Sequence, residues 1–185
     1  MLPKRGWATG QLRGLGVTNL HTWIVFIHVA GVLIFLLGHG VSAAVALRLR
    51  AEREPAAVRT LVDLSRRSMT VMSIGGLMWL VAGIVAGFTG NGGAGWWTTG
   101  TYWIWVSLGL ALAIIIVMTP WGRLYLNRVR VAAGVDVKTG AVDPAYQVDQ
   151  AALDAAIASG RPELLTAIGV GGVLLILWLM VFRPF

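Results

Sequence analysis

A chain of 185 residues is long enough for one domain, but 57% hydrophobic and 12% charged residues, with a mean hydropathy of +0.75, exclude the make-up of an ordinary soluble one. The absence of cysteine excludes disulfides, thiolate metal sites, Fe–S clusters and c-type haem attachment. The formal net charge of +7 would suit nucleic acid, but the Lys and Arg residues flank apolar runs, where topology and anionic headgroups account for them, so no nucleic-acid partner is expected.

Residues 23–47, 69–88, 102–118 and 164–182 are four apolar runs, none containing Lys, Arg, Asp or Glu. Each has roughly the 20 residues that cross a bilayer. Backbone groups in hydrocarbon must be paired within one segment or a closed barrel, and without a period-two alternation the runs predict helices. The expected fold is all-α: a polytopic membrane protein with a four-transmembrane-helix bundle at 23–185, after an N-terminal extension at 1–22. The first run is too long for a signal-peptide core and stands behind 22 residues, so the N-terminus is expected to be retained.

Topology follows from the connections. Arg48, Arg50, Arg53, Arg59, Arg66 and Arg67 lie in connection 48–68; Arg123, Arg128, Arg130, Lys138 and Arg161 lie in connection 119–163. Both connections are expected on the cytoplasmic side of a bacterial inner membrane, with the two termini outside. The middle connection, "TGNGGAGWWTTG", carries no charge, and the remaining cations, Lys4, Arg5, Arg13 and Arg183, lie in the tails. Trp and Tyr residues collect at headgroup depth. Trp23, Trp96, Trp97, Tyr102, Trp103 and Trp105 are accordingly expected near the outer interface, with Trp121 and Tyr125 near the inner one.

Local punctuation sets the helix ends. Pro55 suits the first turn of the second helix, with Glu54 at its positive end. "WGRLYLNRVRVAAG" extends the third helix as a basic amphipathic stretch that stops at Gly134. Asp143 before Pro144 predicts the start of a short cytoplasmic helix, Gly160 its stop, and Pro162 with Glu163 the opening of the fourth span. Asp149 and Asp154 on that helix disfavour anionic lipid, so it is expected to fold back onto Arg128 and Arg130 or to meet another protein. "GIVAG" (Gly83 and Gly87) and "GVGG" (Gly169 to Gly172) have the small-residue spacing of close helix packing.

The residues that invite chemistry lie in "FIHVAGVLIFLLGHGVSA". His28 and His39 are eleven positions apart, hence about 20° apart around a helix and about 16 Å along it, on a stripe shared with Gly31, Val32, Phe35 and Ser42. Axial ligands of one haem stand on the order of 4 Å apart, so the two cannot clasp the same iron. A haem or copper site pairing His39 with Met72, at about the same depth on the second helix, is conceivable, as is His28 sharing a cofactor with a partner chain. Both histidines can equally be packing residues bonded to a carbonyl or to a hydroxyl such as Ser42 or Ser73. Methionines at Met69, Met72 and Met78 read as flexible core filler. Enzymatic motifs such as HExxH, GxSxG and paired carboxylates at membrane depth do not occur, and catalysis by the chain alone is not expected.

"FIHVAGVLIFLLGHG", "EREPAAVRTLVDLSRRS" and "LLILWLMVFRPF" together resemble a bacterial integral membrane family of unassigned activity that is distantly similar to copper-resistance protein D. The resemblance implies a compact four-helix bundle with an early histidine in the first helix, here His28. In related families that histidine is thought to serve haem or copper. His39 and the first 22 residues lie outside the pattern.

Two function classes follow. The first is a non-catalytic accessory or structural subunit, seated in lipid against other membrane subunits or further copies of itself within a bioenergetic or transport assembly. The alternative is a membrane protein holding haem b or copper at the His28/His39 face for electron transfer or metal handling.

Overall fold

The computed structural model describes residues 7–97 and 101–184. Its elements are α1 (Trp7–Leu49), α2 (Pro55–Thr89), a 3-10 turn (Asn91–Gly93), α3 (Tyr102–Ala132), α4 (Gln150–Ala158) and α5 (Pro162–Phe182). Four helical segments are long and apolar enough to cross a membrane, as expected of a multi-pass protein, and the architecture is an all-α four-helix bundle. Among the described residues the only strand-like pairing is an antiparallel bridge between Val135 and Val142. Lys4 and Arg5 in the tail lie outside the described residues. From Trp7 onward, the stretch read as an extension continues the helix of the first span.

α1 and α2 form the closest pair, an antiparallel hairpin in one register. Gly31 lies against the backbone of Met78 and Trp79, Gly38 against Met72 and Ser68, and Gly75 against Gly31, Ile34 and Phe35. These glycines bring backbones together because lipid supplies no hydrophobic drive between helices and packing must do so. "GIVAG" works differently: Gly83 faces the His28 ring and Gly87 the Trp97 indole. α5 packs mainly on α3 and more lightly on α1, while α2 and α3 barely meet. Several hydroxyls in these helices are bonded, which a low-dielectric setting favours. Ser42 and Ser65 stand 3.3 Å apart, Ser68 donates to the Ser65 carbonyl at 2.8 Å, and Ser107 to the Trp103 carbonyl at 2.7 Å.

The end of the bundle carrying the α1–α2 and α3–α5 connections, the basic end, holds the closed core. Leu49, Val58, Val62, Val129, Leu153 and Ile157 are all buried in it. Tyr125 belongs to this core and is only 4% exposed, whereas Trp121 is 57% exposed; of the pair expected to mark one interface, only Trp121 faces outward. Glu54 caps α2, accepting from the amides of Ala56 and Ala57, with Pro55 in the first turn. The neighbouring Glu52 accepts from the amides of Glu54 and Arg53, and these bonds, aided by Arg48, hold its carboxyl below the usual value.

The short helix starts later than its sequence suggests. Asp143 is tied into the loop, its amide donating to the Gly134 carbonyl at 3.1 Å and its carboxylate accepting from Ala145 at 2.9 Å. Asp149 is the true cap of α4, accepting from Ala151 and Ala152. Nor do the acids of α4 reach Arg128 or Arg130: Asp154 pairs with Arg53 at 3.4 Å, and Arg130 donates to the Asn127 side chain at 3.1 Å. Arg50 pairs with Glu163 at 3.0 Å, and Arg59 donates to the Ala133 carbonyl at 2.8 Å, joining the α1–α2 connection to the rest of the basic end.

The opposite, aromatic end is closed by indoles. Trp96 and Trp97 cover Gly90 and Gly87, and Trp97 Nε1 donates to the Ile84 carbonyl at 3.3 Å. Arg183, just past α5, sits over Trp96 and Trp103 at 5.3 and 5.2 Å from the ring centroids. Its φ of 46° lies in the left-handed region that a non-glycine residue enters at a cost, offset here by the two ring faces. Replacing Arg183 by glutamine is expected to lower stability by about 0.5–2 kcal/mol. A lower melting temperature in detergent and a shifted tryptophan emission would register it; an unchanged melt would show the clasp to be idle.

Candidate functional site

The two histidines of the first span stand on one helix but in different surroundings. His28 turns to α2: its Nδ1 lies 2.8 Å from the Trp79 carbonyl oxygen, which fixes Nδ1 as the protonated nitrogen. A helix carbonyl has a second lone pair beyond its i+4 bond, so this donation costs α2 nothing. The ring rests against Gly83, where a methyl group would strike it, and meets the Trp79 indole edge-on with centroids 6.4 Å apart. His21, nearer the aromatic end, is likewise joined to α2, with Nδ1 3.0 Å from Thr89 Oγ1.

His39 turns to α5 and α3 instead. Its Nε2 comes so close to Gly169 that an added Cβ would lie 2.7 Å from it, and 3.2 Å from Met118 Cε. The imidazole and the end of the Met118 side chain therefore converge on one bare point of α5. The His39 ring stacks on Phe35, one turn back along α1, with centroids 5.8 Å apart and planes 5° apart. Its nitrogens have no hydrogen-bond partner among the described residues, which distinguishes it from His21 and His28. Phe35 also meets Trp79 at 6.4 Å, so a line of rings, His39, Phe35, Trp79 and His28, links the two histidines.

Met72 is at the expected depth, its backbone beside Gly38, and a second methionine, Met118, reaches the same point of α5 as His39. Sequence order pointed to the second helix; at His39 the approach to Gly169 and Met118 brings in the helices of the fourth and third spans as well. Met118, Gly169 and Trp79 were thus missed as partners, although Gly169 carried a signal in its small-residue stretch. Among the described residues no three His, Cys, Asp or Glu side chains gather as a metal site. One imidazole and one thioether are nevertheless soft donors of the kind that suit Cu(I), or the two faces of a haem iron.

None of the known protein families, curated proteins or solved structures matches this chain.

Proposed function

We propose that this chain is a non-catalytic integral membrane protein of the bacterial inner membrane, with both termini outside, serving as an accessory or structural subunit of a larger bioenergetic or transport assembly. The observation that carries the reading is the use made of the polar groups within the spans. His21 and His28 are bonded from α1 to α2, Ser42 meets Ser65 across the same pair, and Ser68 and Ser107 bond within their own helices. What such a bundle offers to its surroundings is an apolar exterior, suited to lipid and to other helices. Native-gel and mass analysis of protein extracted from its own membrane in mild detergent is expected to place the 19.8 kDa chain in a larger assembly. Recovery solely as a monodisperse single chain would overturn the proposal.

A second reading rests on His39 and Met118 meeting at Gly169: a site for haem b or copper. These residues would supply the ligands, and the missing side chain at Gly169 is what gives both of them room against α5; the bound group would supply electron transfer. An absorption spectrum with metal analysis separates the readings. For a structural subunit, no Soret band and no stoichiometric copper are expected, and His28→Gln lowers the melting temperature without a spectral change. A band or bound copper lost in His39→Ala and Met118→Ala would establish the second reading instead.

A further inference from the structure

α4 turns two unlike faces to the chain around it. Leu153 and Ile157 enter the core, while Ala152, Ala155, Ala156 and Ser159, at helical spacing, line an open groove of about 640 Å³ against α3. Leu124, Val131 and Tyr146 complete its apolar walls, and Asn127 and Arg128 are polar groups in it. Alanines where larger residues would fill the gap are what leave it open.

Its depth follows from α3. Tyr102 and Trp121 are both exposed and about 28 Å apart along the helix, close to the roughly 30 Å of a hydrocarbon core with an aromatic residue at each boundary. α3 runs on to Ala132, so a groove that begins at Leu124 stands one turn beyond Trp121, at headgroup depth. Its charge is one-sided. Arg123 and Arg128 are exposed and belong to no ion pair among the described residues. The acids of α4 are occupied elsewhere, Asp154 with Arg53 and Asp149 as the helix cap, so the α4 wall of the groove is uncharged. The repulsion that an acidic helix would exert on anionic lipid is thereby reduced.

The geometry points to a binding site for one anionic phospholipid in the groove between α3 and α4. Its phosphate sits at Arg128 and Asn127, whose side-chain oxygen accepts from Arg130 and whose NH2 is left to donate. The first part of an acyl chain runs from there back along Leu124 toward the span, while Val131 and the alanine face wall the groove around the headgroup.

Native mass spectrometry of the full chain, released from nanodiscs of phosphatidylglycerol and phosphatidylcholine with identical acyl chains, tests this. One phosphatidylglycerol per chain is expected to survive release, favoured about fivefold or more over phosphatidylcholine, since each surface arginine contributes about that factor toward an anionic headgroup. Ala155→Phe fills the groove without changing charge, and Arg128→Gln removes the cation without touching packing. Each is expected to lower retention at least threefold, while Arg48→Gln, at the same end on α1, leaves it unchanged. Should Ala155→Phe fail to fold, the exposed Arg128 still decides the matter. Equal retention of the two lipids, or retention that ignores both variants, overturns the proposal. A stable dimer that closes the groove with a second copy and excludes lipid would overturn it equally.

Discussion

Replacing Gly75 by alanine is expected to destabilise the bundle by about 1–3 kcal/mol, and replacing it by leucine to cost more than that and prevent the α1–α2 hairpin from closing. The reason is what a side chain would meet. At Gly75 an added Cβ falls on the backbone of Gly31, Ile34 and Phe35, and at Gly31 it falls on that of Met78 and Trp79. A flexible side chain can swing aside, but a helix backbone moves only as a whole, so the two axes must separate. Separation also lengthens the bond from His28 to the Trp79 carbonyl and the approach of Ser42 to Ser65, leaving polar groups unpaired in hydrocarbon. Gly40 and Gly109 supply the control, because a Cβ there meets nothing within 4 Å. Alanine at either should stabilise by up to about 1 kcal/mol through helix propensity. Thermal unfolding in detergent of the four alanine variants, Gly31, Gly75, Gly40 and Gly109, should divide them into two losses and two neutral or positive changes. If all four melt alike, close backbone packing is not what holds the hairpin.

How much of this was legible in the sequence depends on the range of the signal. Pro55, Gly134 and Pro162 act on their own turn of backbone, and the helices begin or end at or beside them. Asp143 misled because an Asp–Pro pair is turn chemistry as much as helix chemistry. The bridge between Val135 and Val142 commits its amide to Gly134, and only Asp149 is free to cap. The shared stripe of His28 and His39 shows a subtler limit. Periodicity fixes a direction about a helix's own axis, but not which neighbour stands in that direction at each depth. His28 meets α2 and His39 meets α5 beside Met118 of α3, so one stripe yields two unlike surroundings. Glycine spacing has the same ambiguity. Gly83 and Gly87 make room for a ring from elsewhere in the chain, whereas Gly31 and Gly75, far apart in sequence, make the backbone contact.

Leu153→Ala is expected to release α4 from the basic end, at a cost of about 2–5 kcal/mol for a fully buried leucine. α4 has only 9 residues and cannot persist as an isolated helix, so its structure depends on what it docks against. Two kinds of contact hold it: the burial of Leu153 and Ile157, and the Arg53–Asp154 pair at 3.4 Å. The pair is about half exposed on both sides, a setting in which an ion pair contributes 0–1 kcal/mol at most. The two contacts therefore predict different outcomes. Leu153→Ala should speed tryptic cleavage at Lys138, which is exposed in the loop leading into α4, and lower the melting temperature, whereas Arg53→Gln should leave cleavage nearly unchanged. Because α4 forms one wall of the groove, Leu153→Ala should also abolish retention of the anionic lipid, although Leu153 does not line it. Cleavage that rises as fast in Arg53→Gln as in Leu153→Ala would mean that charge, not burial, seats this helix. The apolar anchor is favoured because the core at this end closes over side chains from α1, α2, α3 and α4 together, and removing one of them leaves a cavity that the other three helices, fixed in the membrane, cannot collapse to fill.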